Sequence, residues 1–188
     1  MTTVLNRGLA PARAVLDNGA TIIAQHTSTH PAVTIFARVA AGSGHDDGAA
    51  VGTANFVGRT IDRGTEMRTA ELLAEALDER AVALSVGVGR HLMTFSCTCL
   101  ADDIADVLDL LGDVITRPAF PPDQVEKRRT SIVTAIRQDE DNPAAVATES
   151  LMAALYPGGH PYGRRTKGTV SSIRSIGRDA MLAFHRAH

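Results

Sequence analysis

The stretch "VALSVGVGRHLMTFSCTCL", residues 82–100, most constrains what this chain can fold into. Two β-prone runs meet at Gly89-Arg90. A join this short admits only an antiparallel turn, because a parallel crossover needs a dozen or more residues. On the second run Cys97 and Cys99 point to one face of the strand. A Cys-x-Cys pair is poorly spaced for a disulfide and too small for a zinc site, so both read as small core or surface residues.

The flanking segments fix the rest of the class. "ARAVLDNGATIIAQHT" is a second hairpin, with β-prone runs on either side of Asp17-Asn18-Gly19. "AVTIFARVAAGSG" is a longer apolar strand, and "GSGHDDGAAVG" is a Gly- and Asp-rich loop in which His45-Asp46-Asp47 reads as a solvated turn. Helical spacing runs through 51–62, with Gly58 as its weak point. Thr69 caps a helix over 70–81, and Asp102 or Asp103 opens another that ends at Arg117-Pro118. Pro122 stands in the first turn of a long helix that Asn142-Pro143 breaks. A further helix follows to Tyr156. Residues 160–173 read as a polar loop before a last helix over 178–188. Strands, helices, strands and helices in that order predict an α+β fold: a largely antiparallel sheet with helices packed on one face. Trp is absent and aromatics make up 4%, so the core is expected to consist of Ala, Val, Leu and Ile.

Charge and hydropathy exclude several functions. The net charge is −2 and no basic run occurs, which argues against a nucleic-acid partner. No apolar run is long enough to span a membrane, and the N-terminus shows no secretory pattern, so the expected compartment is the cytoplasm. The seven histidines make no His-x-x-x-His pair. His185 and His188 could share a helix face but lack a third ligand. There is no phosphate loop and no nucleophile elbow, and the acidic run Asp139-Glu140-Asp141 reads as a solvated face. Residue by residue, no active site emerges.

The order of segments is more telling. "LDNGATII", "AAGSG", "GTANFVGRTIDRGTEMRTAELLAEALDE", "DLLGDVITRPAFPPDQVEKRR", "AIRQDEDNPAAVATESL" and "HPYGRRTKGT" follow one another. Together they resemble the insulinase and mitochondrial processing peptidase family, the pitrilysin or inverzincin metallopeptidases. The resemblance runs from about residue 12 to the end. It implies a metallopeptidase-like half-domain: 1–188 as a single peptidase-like domain, the N-terminal half of a longer two-domain protein, lacking the half's last strand and helix. Active members carry His-x-x-Glu-His on the first helix after the Gly-Ser loop, with a glutamate from a later helix completing the zinc site. Matched on "GTANF", Asn55 stands for the first His, Gly58 for the general base and Arg59 for the second His. Ala135 stands for the distant glutamate. Each change works against zinc. An amide is a weak ligand, glycine has no carboxylate, arginine is a fixed cation and alanine has no donor. No zinc and no other cofactor is therefore expected. Arg59 is expected either to pair with an acid such as Asp62 or to reach solvent.

What the resemblance implies is an inactive homologue. It would serve as the partner subunit of an active peptidase of the same family, or self-associate, and share a chamber for unfolded peptides. The family holds peptides by adding them to an edge strand, which matches Leu84, Ser85 and Val86 here. Two alternatives stand beside it: a structural scaffold without peptide contact, and an active peptidase with a site rebuilt around His45 or His91.

Overall fold

The computed structural model describes residues 10–27 and 30–188. The chain divides into two compact units, residues 1–32 and 33–188. In the first, β1 (Ala12–Val15) and β2 (Thr21–Ala24) pair antiparallel, with Ala12 opposite Ala24 and Val15 opposite Thr21. Their turn is the expected one. Gly19 takes φ +84°, and the Asn18 Oδ1 accepts from the Ala20 N–H at 3.0 Å. All eight strand residues are exposed.

The second unit is built on a three-stranded sheet in the order β3-β5-β4, with β3 at Ala32–Val39, β4 at Ser85–Val88 and β5 at Met93–Leu100. β4 and β5 form the expected hairpin, Ser85 opposite Ser96 and Val88 opposite Met93. The strands thus fall into two sheets, with β4 at an edge of the larger. Alternation gives that sheet one buried face. Met93, Phe95, Cys97 and Cys99 point inward from β5, while Thr98 and Leu100 face out. On the outer face the Thr34 and Thr98 hydroxyls meet at 3.1 Å.

Among the described residues seven helices follow, from the predicted signals and one missed signal. They are α1 (Thr53–Gly58), α2 (Ala70–Asp78), α3 (Ile104–Thr116), α4 (Pro122–Glu140), α5 (Pro143–Leu155), α6 (Val170–Ser175) and α7 (Arg178–Ala187). The Thr69 side chain accepts from the Leu72 N–H and starts α2. The Asn142-Pro143 pair does two things at once: Pro143 ends α4, while the Asn142 side-chain Oδ1 accepts from the Ala144 N–H and starts α5. The stretch 160–173 is not all loop. It holds a 3-10 turn at Pro161–Gly163 and the start of α6. The missed signal is a capping box. Ser172 N–H donates to the Thr169 Oγ1 at 3.1 Å, and Thr169 N–H donates to the Ser172 Oγ at 2.9 Å.

The core also corrects the expectation of an aliphatic interior. Four of the five phenylalanines, Phe56, Phe95, Phe120 and Phe184, are buried, and only Phe36 lies exposed on the outer sheet face. They pack with Leu73, Val114, Ile132, Ile173 and Met181. Few aromatics in the sequence therefore did not mean few in the core. Among the described residues no helix is long and apolar enough to cross a membrane.

Candidate functional site

Helix α1 carries Asn55 and Gly58 of the four positions expected to be substituted, Arg59 is its C-cap, and the loop before it sets its place. Its N-cap is Gly52 at φ +98°, where a Cβ would lie 2.8 Å from the Lys167 carbonyl oxygen, so only glycine fits. Glycine has no side chain to cap the helix, and Asp46 supplies the cap from six residues upstream. Its Oδ2 accepts from the Gly52 N–H and its Oδ1 from the Ala54 N–H, both at 2.8 Å. Burial pushes the Asp46 carboxyl above its usual value, against the pull of those two amides. Asp46 is 5% exposed, which corrects the reading of His45-Asp46-Asp47 as a solvated turn. Its signal in the sequence was faint, because the capping side chain is not adjacent to the helix.

The four positions themselves differ in kind. Asn55 is half-buried, and its Oδ1 is shielded from solvent with no hydrogen-bond partner. Gly58 is buried against the edge strand: a Cβ there would sit 2.3 Å from a methyl of Val88, the last residue of β4. Arg59 is exposed and caps the C-terminus of α1 through its backbone N–H, bonded to Asn55 O at 3.0 Å. It makes no ion pair with a described residue. Asp62, its expected partner, pairs instead with Arg63 at 3.2 Å. Ala135 is half-buried on α4 between the core residues Ile132 and Ile136. Helices α1 and α4 meet where the Arg129 guanidinium lies over the Phe56 ring, 5.0 Å from its centre.

The other candidates are held elsewhere. Strand β4 begins at Ser85, so Ser85 and Val86 lie on the edge strand, whereas Leu84 precedes it and packs half-buried on the core. The His45 ring lies tilted against His188, their centres 4.6 Å apart, and His188 also meets Phe184; His185 bonds to the Ile115 carbonyl oxygen at 2.7 Å. His91 Nε2 meets the Tyr162 hydroxyl. Among the described residues no group of three or more His, Cys, Asp or Glu is placed to hold a metal ion. A cleft of about 450 Å³ with a mixed apolar and polar lining lies between β3, β5, the end of α3 and α7. None of the four substituted positions lines it, so it does not mark this site.

Comparison with known proteins gives this arrangement its context. The family model of the insulinases, peptidase family M16, matches residues 21–169. The chain belongs to the insulinase family. It is 28% identical over 180 residues to an uncharacterized zinc protease of Mycobacterium leprae, covering 95% of this chain and 40% of that protein. It is 24% identical over 173 residues to a probable mitochondrial-processing peptidase subunit beta of Arabidopsis thaliana, covering 92% of this chain and 32% of that one. Among solved structures, the peptidase M16 inactive domain from Pseudomonas fluorescens superposes with a TM-score of 0.88 at 24% identity, covering 94% of this chain and 43% of that one. A putative M16-like peptidase from Alicyclobacillus acidocaldarius gives 0.81 at 19% identity, covering 96% and 43%. These structural likenesses establish the half-domain fold. The chain thus spans about 40% of the length of the zinc protease it matches.

Proposed function

We propose that this chain is a non-catalytic member of the insulinase family that holds extended peptide on the β4 edge and serves as the partner of an active peptidase subunit. The observation that carries the reading is the contact between Gly58 and Val88. The family's general base would stand at residue 58, and a methyl of the edge strand fills the room its side chain would need. The other positions agree. The residues present do not fit a zinc ion: Asn55 offers one neutral oxygen, Ala135 none, and Arg59 brings positive charge to the place of a dication. With neither metal ligands nor base, no water is activated there.

What remains is a strand with an open side. Among the described strands β4 pairs only with β5, so its other edge can accept a peptide backbone, and backbone pairing does not depend on the lost side chains. One relative is named as a subunit, which supports a paired assembly.

The test is a titration of labelled, unstructured peptides, monitored by fluorescence anisotropy, with the chain alone and with an active family member. The expected result is saturable binding that falls when alternate peptide N–H groups are methylated, since methylation removes the ladder donors. Binding that ignores methylation would remove the edge strand from the account. No binding in either setting would leave a scaffold without peptide contact.

A further inference from the structure

Three arginines surround the substituted site, and one acid answers them. Arg59 follows α1, Arg63 closes the turn after it, and Arg128 lies on α4. Asp62 pairs with Arg63 at 3.2 Å. The Arg63 Nε is shielded from solvent and has no acceptor among the described residues. Neither the Arg59 nor the Arg128 guanidinium makes an ion pair or hydrogen bond with a described residue. Other arginines of the chain are answered by acids. Arg68 and Arg117 share Asp113, Arg80 holds Asp106, and Arg165 holds Glu140 and Glu149.

Geometry brings the unanswered charges together. Arg128 stands one turn after the buried Val125 and one turn before the buried Ile132, on the side of α4 from which Arg129 reaches over Phe56, itself one turn before Arg59. Burial first, then the nearby Arg63, lowers Arg128 below the ordinary guanidinium value; Asp62 opposes this and Arg59 adds to it. Like charges held this close repel unless an anion enters. The cluster also borders the peptide edge, because Gly58, the residue before Arg59, touches Val88 at the end of β4.

We infer that Arg59 and Arg128 form a carboxylate-binding subsite at the Val88 end of β4, one that selects extended peptides bearing an acidic group there. The inference rests on the peptide-holding reading above. Guanidinium forks suit carboxylates, which accept two parallel N–H bonds. The carboxylate can be an Asp or Glu side chain or a free C-terminus.

Four labelled peptides of one sequence separate these sources. They carry Glu or Gln at an internal position, each with a free or an amidated C-terminus. Anisotropy titrations at low salt should show one acidic form binding about tenfold tighter than its neutral counterpart, as a charge-assisted hydrogen bond implies. The advantage should shrink in high salt. The Arg59→Gln/Arg128→Gln double variant should bind acidic and neutral forms alike, whereas Arg80→Gln, at a distant ion pair, should keep the preference. Equal affinity of all four peptides for the unaltered chain overturns the inference and leaves edge-strand binding standing. An acidic preference that survives the double variant places the carboxylate elsewhere and also overturns it. If no peptide binds, both readings fall. Because the comparison of peptides is made on the unaltered chain, it holds even if the double variant does not fold.

Discussion

Gly58 is the residue at which packing meets the proposed loss of chemistry. In an exposed helix an alanine there would gain about 1 kcal/mol over glycine. Here the added Cβ would lie 2.3 Å from the Val88 methyl, well inside any permitted contact, and Val88 is stiff about its χ1. Overpacking of this kind costs about 1–3 kcal/mol, so it outweighs the helix preference. Gly58→Ala should therefore unfold at lower urea concentration than the parent chain. Val88→Ala alone should also destabilise, by leaving a gap. The double variant should lose less than the sum of the two, because each change relieves the other. Additive losses would show that residue 58 and β4 do not press on each other, and would remove the main support for an excluded base.

At the scale of elements, the sequence announced where most helices begin because their signals are local. Thr69, Pro122 and Asn142-Pro143 each act within a turn of the residue they affect. The hairpin at 82–100 was legible for the same reason. What escaped was action at a distance. Asp46 caps a helix that starts seven residues later, and Arg129 ties together three elements. The Arg129 guanidinium covers Phe56 of α1, and its Nη1 donates to the carbonyls of Ile173 and Ile176, the second at 2.9 Å. These carbonyls close α6, where a cation also suits the helix dipole. In the sequence it was one of several basic residues on a long amphipathic helix. Arg129→Ala should leave two carbonyls without that donor and an aromatic face uncovered, a loss of about 2–3 kcal/mol in denaturant unfolding. Arg129→Lys should recover only part of it, since one ammonium cannot span both carbonyls and the ring. Full recovery by lysine would reduce the residue to a simple charge.

At the scale of the molecule, the family was legible because the segments keep their order. That order also supplies the register on which Asn55, Gly58, Arg59 and Ala135 are proposed to stand in place of zinc ligands and base. The sequence could not show that a methyl of β4 fills the space beside residue 58, because that contact joins residues 58 and 88. Nor could it show that Arg59 stays unpaired while Asp62 turns to Arg63. Both facts bear on metal, which makes zinc a test of the molecule rather than of one residue. A folded-state zinc site held at a hundredfold excess over its dissociation constant would add about 2.7 kcal/mol. In a chain of this size that raises the melting temperature by about 5–11 °C. The expected shift on adding zinc is none, with EDTA likewise without effect. A rise that EDTA reverses and Asn55→Ala abolishes would place a metal at this helix after all. A rise that survives Asn55→Ala but disappears on His188→Ala would put the metal on the histidine cluster of α7, and would leave the α1 site as inert as its residues imply.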